Sequence, residues 1–275
     1  MSVEKGKVKS EKERPILFST DMVKAILDGR KTQTRRVVKP SPEELAKEQI
    51  PEWDGTLHQV HAETPSGERI FGFCTDKELR TGEYYGSMKS KYGNPGDVLY
   101  VRETWMPAGW SEDGDDWCIH YKANGPDGMI VPHLFDDEKK EHDFWMKVSG
   151  ELKDAGCPEV DGMFQDVTAY LNWRPSIFMP KNASRLWLKV KEVKVERVQG
   201  ITFEDAVAEG IEVDELNHVV RDDGINWGGA VPEFANLWDS INAKRDGGIY
   251  SWESNPYVWV VKFEVVSTNG RPSYE

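Results

Sequence analysis

Two alternating stretches near the C-terminus constrain the fold most. From Ala183 onward, Leu186, Leu188 and Val190 take one parity, and Arg185, Trp187, Lys189 and Lys191 take the other. Side chains alternate across a strand with a period of two, so this is a strand with one buried face. The parity then flips at Val193 and Val195. A bulge or tight bend near Lys191-Glu192 accounts for the flip and would curl the sheet. The second stretch, Tyr257 to Val265, is apolar on both parities: Tyr257, Trp259, Val261, Phe263 and Val265 against Val258 and Val260. A strand apolar on both faces belongs in the middle of a sheet, between core and helix. Strands outnumber helices, and no dinucleotide or P-loop glycine pattern follows any of them. The expected class is α+β (mixed): a curled, mostly antiparallel β-barrel with flanking helices.

Three helices are expected around that sheet. In Asp21-Met22-Val23-Lys24-Ala25-Ile26-Leu27, the residues Met22, Val23, Ile26 and Leu27 make one apolar stripe. Ser19, Thr20 and Asp21 are its possible N-caps, and Gly29 stands where a left-handed residue would stop it. The stretch Ile201 to Gly210 opens on Thr202 as N-cap with Asp205 at N3, and Ile201 can staple onto Ala206. Glu209 falls in its last turn, where the helix dipole disfavours an anion by about 0.3–1 kcal/mol. Phe234, Leu237, Trp238 and Ile241 then recur at helical spacing after Pro232.

Past Gly29 comes a dense polar run: Arg30, Lys31, Thr32, Gln33, Thr34, Arg35 and Arg36. A helix that ends on glycine before such a run is expected to present it to solvent. It is either a solvated basic loop or an anion-binding, catalytic turn, with Lys31 as base and a threonine hydroxyl as nucleophile. Asn94-Pro95-Gly96-Asp97 turns into another strand, on which Leu99, Val101, Glu103 and Trp105 share one face and Arg102 lies on the other. Charges at the end of an apolar strand are paired structurally or functional.

Residues 1–14 are charged throughout and read as a mobile tail without the apolar stretch of a signal peptide. Residues 15–275 read as a single domain carrying two insertions, about 41–95 and 124–172, each suited to a lid or a partner surface. The net charge of −13 disfavours binding to long DNA or RNA, because phosphate contacts need clustered cations. It does not disfavour a nucleoside or a short single strand held in a local pocket. No run of 18 apolar residues is present, so no membrane span is expected. Cys74, Cys118 and Cys157 are isolated and odd in number, which fits a reducing cytoplasm. His58 and His61 lack a matching second pair, so no metal and no cofactor are expected.

Gly29-Arg30-Lys31-Thr32-Gln33-Thr34 resembles the G-x-K-x-x-T signature of the ASCH superfamily, small β-barrels of PUA-like fold. The segments Gly96 to Trp105, Ile201 to Ile211 and Leu237 to Asn242 extend the match, in order along the chain, to the long phage- and prophage-associated branch. That resemblance implies chemistry. The bacterial N4-acetylcytidine amidohydrolases of the superfamily have a lysine, a threonine three residues on and a glutamate on a later helix. Here those are Lys31, Thr34 and Glu209. The resemblance implies removal of an acyl group from the N4 amine of a cytidine-type nucleoside by a lysine-activated threonine. Expected substrate contacts are Arg30, Arg35, Arg36, Arg102, Glu103 and Trp105. The other reading is a non-catalytic RNA- or nucleotide-binding module of phage origin. Lys31 and Thr34 converge only if their segment is a turn, helix end or bulge, because strand residues three apart face opposite sides.

Overall fold

The computed structural model describes residues 11–49, 58–63, 69–74, 85–110, 116–214, 218–221, 224–226 and 229–273. The organising unit is a five-stranded sheet of β1 (Glu13–Leu17), β2 (Gln33–Val37), β6 (Val98–Arg102), β12 (Trp187–Arg197) and β15 (Tyr257–Ser267), in the order β1-β6-β12-β15-β2. Only β1 and β6 run parallel; the other neighbours are antiparallel.

The β12–β15 ladder shifts register between Val190 and Glu192, a bulge at Lys191 where the sequence parity flips. The bulge has a clear packing consequence. Leu188 and Val190 before it, and Val193 and Val195 after it, all enter the same core with Ile16, Val101 and Phe263. β15 is an interior strand, between β12 and β2, with the core on one face and helices on the other as anticipated from its two apolar faces. Trp259, Val261 and Phe263 point into that first core, while Val258 and Val260 point into a second one on the opposite face. Each such side chain contributes about 1.5–3 kcal/mol on burial.

The second core is closed by helices. The first helix of the chain, α1 (Thr20–Leu27), joins the two edge strands β1 and β2 and is capped by Ser19, whose hydroxyl accepts from the Met22 amide. After α2 (Pro42–Gln49) and α3 (Glu138–Asp154) come α4 (Phe203–Ala208) and α5 (Ala230–Asn242), which pack Ala206, Phe234 and Trp238 against Val258 and Val260. α5 starts two residues before Pro232. Its buried stripe runs Phe234, Trp238, Asn242, leaving Ile241 exposed.

The edges β1 and β2 approach each other closely enough for Arg36 Nη2 on β2 to donate to the Leu17 carbonyl on β1 at 2.7 Å. No strand ladder joins them among the described residues, so the main sheet is open at this seam and does not complete a barrel. Strand β1 starts at Glu13, inside the stretch read as tail. There the Glu13 carboxylate accepts from Arg271 at 2.9 and 3.0 Å and pairs with Lys181.

Both proposed insertions are redrawn. Within 41–95, β3 (His58–Glu63), β4 (Arg69–Cys74) and β5 (Tyr85–Met88) form a small sheet. Phe71, Phe73 and Met88 belong to the first core, with Phe71 edge-on to Trp259 at 4.9 Å. Through these three residues the segment packs into the main core. The other segment is larger than 124–172. β7 (Trp105–Trp110), β8 (Trp117–Tyr121) and β9 (Gly125–Val131) form a sheet packed on α3, with a separate core running from Trp105 to Ala183. Two short ribbons complete the strands: β10 (Glu159–Val160) with β11 (Met163–Phe164), and β13 (Val219–Arg221) with β14 (Gly224–Asn226). No described helix is long and apolar enough to cross a membrane.

Candidate functional site: a buried ion-pair network beside a cationic seam

The middle of the polar run after α1 is buried, not presented: Lys31, Gln33, Thr34 and Arg35 are enclosed, while Thr32 is exposed. Gly29, at φ +74°, turns the chain, and the amides of Arg30 and Lys31 both donate to the Ala25 carbonyl at 2.9 Å. That turn folds Lys31 inward, and its exposure is 1%. The Thr32 amide donates to Ala208 O and the Thr32 carbonyl accepts from Phe263 N, both at 2.9 Å, so the segment is clamped between α4 and β15. Gln33, Thr34 and Arg35 are also buried. What keeps cations there is a matching set of carboxylates on neighbouring elements, without which burial of charge is prohibitive.

The match follows strand parity. Lys31, Gln33 and Arg35 all reach toward α4 and its end. The Lys31 ammonium donates to Glu209 Oε2 and to the Glu209 carbonyl, both at 2.7 Å. Gln33 Nε2 donates to the Asp205 carbonyl at 2.8 Å. The Arg35 guanidinium spans three carboxylates: Glu209 Oε1 at 3.3 Å, Asp205 Oδ2 at 2.7 Å and Glu196 Oε1 at 2.6 Å. Glu209 is the C-cap of α4, and Gly210 beyond it stands at φ +102°. A Cβ at Gly210 would meet the Ala25 Cβ at 3.1 Å and the Lys31 Cβ at 3.3 Å, so glycine is what lets the two segments approach. The unfavourable helix-end position of Glu209 is offset by two cations.

Burial lowers the Lys31 ammonium below the ordinary lysine value, and Glu209 pulls the other way without cancelling it. Burial would raise the Asp205 carboxyl, but Arg35 outweighs it and holds the group low.

Thr34 and Glu209 line one small cavity, about 60 Å³, walled by Phe234, Trp238 and Asn242 of α5. Lys31 does not line it, and no hydrogen bond joins Lys31 to Thr34 among the described residues. The structure thus brings Lys31 to Glu209 directly, and Thr34 to Glu209 through the cavity. This cavity shares Arg36, Val37 and Arg245 with a cleft of about 820 Å³ at the open seam between β1 and β2.

The expected substrate contacts divide. Arg35 lies in the network, and Arg36 and Arg102 line the seam cleft. Arg30 sits at the surface, donating to Gly210 O at 3.1 Å and to Asp28. Glu103 and Trp105 do not belong to the site. Glu103 makes a buried bidentate pair with Arg185, at 2.9 and 3.0 Å, where the chain leaves the main sheet for the second one. Burial raises its carboxyl despite Arg185. Trp105 is wholly enclosed in the second unit's core, stacked at 5.9 Å on Phe144. Strand parity separated Arg102 from Glu103: Arg102 lines the seam cleft and Glu103 does not.

Sequence reasoning missed Glu196, Asp205 and Arg245. Asp205 was visible only as a helix-start residue. It does donate its amide to Thr202 Oγ1, at 3.2 Å, but its carboxylate is turned to Arg35. No family model, curated protein or solved structure matches this chain.

Proposed function

We propose that the protein is an amidohydrolase that removes an acyl group from the N4 amine of a cytidine-type base, on an ASCH scaffold whose open, curled sheet is PUA-like. The observation that carries the reading is the Lys31–Glu209 pair at 2.7 Å, sealed from solvent, with Thr34 lining the same cavity as that glutamate. Glu209, 178 residues from Lys31 in the chain, is held against it and shares a cavity with Thr34. In this mechanism the Thr34 hydroxyl attacks the acyl carbon while its proton passes to the Lys31–Glu209 pair. The pair returns that proton to the departing N4 amine, leaving an acyl ester on Thr34. Water then attacks the ester, freeing the carboxylic acid and restoring the hydroxyl. Lowering of the Lys31 ammonium by burial favours its neutral, basic form. Arg35 holds Glu209 in place and balances its charge as the proton moves. Three cysteines, isolated and odd in number, accord with a cytoplasmic setting. Incubation with a panel of N4-acylated cytidines, followed by chromatography, tests the activity directly.

One observation favours the non-catalytic reading, an RNA- or nucleotide-binding module. The Lys31 ammonium is already satisfied by two oxygens of Glu209 and does not touch Thr34, as in a purely structural ion pair. Absence of turnover on every N4-acyl cytidine, with retained nucleotide or RNA affinity, would decide for that module.

A further inference from the structure

The seam cleft between β1 and β2 has a charge opposite to that of the molecule. In a chain of net charge −13, the cleft is lined by Arg14, Arg36, Arg102 and Arg245 together with three lysines and, among the described residues, by no aspartate or glutamate. Lys39 is matched by Asp246 at 2.5 Å, and Arg14 lies 3.8 Å from Asp97. The remaining arginines are held differently. Arg36 donates to the Leu17 carbonyl at 2.7 Å, Arg102 to the Met179 carbonyl at 2.7 Å, and Arg245 to the Asn242 amide oxygen at 2.8 Å. Each anchor is a neutral oxygen, which fixes the guanidinium without cancelling its charge. None of these three is paired to a carboxylate among the described residues. The buried Arg14 Nε, which makes no hydrogen bond, is the atom that faces Asp97. Three oriented guanidinium forks around one cavity match the oxygens of a phosphate better than any neutral group.

The rest of the lining suits a flat ring. Ile16, Leu45, Met88 and Trp259 supply apolar and aromatic surface beneath the cationic rim. A volume of about 820 Å³ lies within the range of small-molecule sites. The smaller cavity of Thr34 and Glu209 is too small for a nucleoside but adjoins the cleft through Arg36, Val37 and Arg245.

We infer that the seam cleft binds a phosphate-bearing nucleotide, with Arg36, Arg102 and Arg245 taking the phosphate. The physiological ligand is then a nucleotide or the end of a short strand, not a free nucleoside. The inference rests on the hydrolase reading only for what the ligand would undergo; binding itself needs no turnover.

The test is calorimetric titration of the full chain, catalytically blocked as Thr34→Ala, with cytidine, cytidine 5′-monophosphate, a cytidine tetranucleotide and inorganic phosphate. Blocking turnover keeps failure of this inference distinct from failure of the hydrolase. The monophosphate is expected to bind at least tenfold more tightly than cytidine, with affinity that falls as salt rises. Arg102→Gln and Arg36→Gln should each erase most of that advantage and leave the weak cytidine affinity unchanged. Lys91→Gln, at a side chain held only against the Tyr92 ring, offers a variant that does not touch the fold, with a smaller loss expected. A tetranucleotide binding more tightly than the monophosphate would assign the phosphates to a strand, and equal affinities to a mononucleotide; either supports the site. Cytidine binding as tightly as its monophosphate, inorganic phosphate binding as tightly as the nucleotide, or indifference to the arginine substitutions would overturn it.

Discussion

Glu209→Gln removes one charge from the network and leaves its shape. In the parent, Lys31 and Glu209 lie 2.7 Å apart with side chains 1% and 4% exposed. At an effective dielectric of about 20 their attraction is about 6 kcal/mol, offset by desolvation of several kcal/mol per ion, so the intact pair is near balance. Breaking it is another matter. A lone buried ammonium is expected to cost about 3–5 kcal/mol. An independent bound agrees, because Lys31 can escape by losing its proton. From an unfolded value near 10.4, that costs about 4–5 kcal/mol at pH 7, at roughly 1.4 kcal/mol per pH unit. The sign follows. With Lys31 neutral when folded and protonated when unfolded, the unfolded state binds the extra proton, so the variant gains stability as pH rises toward 10. Urea unfolding followed by tryptophan fluorescence should show a midpoint about 1–1.5 M below the parent at pH 7, for an m-value of about 3 kcal/mol/M. The deficit should shrink by about 2–3 kcal/mol at pH 9. Lys31→Met combined with Glu209→Gln should recover most of the loss, since Arg35 retains Glu196 and Asp205. A deficit under about 1 kcal/mol that ignores pH, or additive single variants, would refute the buried pair.

Other outcomes follow from the same geometry. Thr34→Ala should abolish release of acid from N4-acetylcytidine while leaving ligand affinity close to the parent's, because it deletes only a transition-state interaction; single-turnover kinetics alongside equilibrium binding checks it. Gly210→Ala, which places a side chain at φ +102° within 3.1 Å of Ala25, should cost about 1–3 kcal/mol in stability and depress turnover by shifting Lys31. Arg185→Met leaves Glu103 buried without its partner and should cost about 3–5 kcal/mol in denaturant melts. Turnover per folded molecule should stay unchanged, because that pair lies outside the site.

Local rules carried much of this fold. The parity flip after Lys191 located the bulge, and the two apolar faces of Tyr257–Val265 placed that strand between two cores, because a side-chain period of two records burial directly. Capping by Thr202 was legible for the same local reason, a hydroxyl satisfying amides two or three residues away, and the structure selected Ser19 from three candidate caps of α1. The exposure of Lys31 and Arg35 was misjudged, because whether a cation is buried depends on carboxylates 161 to 178 residues distant. Nothing in the run itself reveals Glu196, Asp205 or Glu209. The open seam is likewise tertiary. Only the curl of the main sheet sets β1 opposite β2 and gathers Arg14, Arg36, Arg102 and Arg245 around one cleft, reversing locally the sign of a strongly acidic chain. Composition sums charge over the whole chain; the fold decides where each charge stands and what it faces.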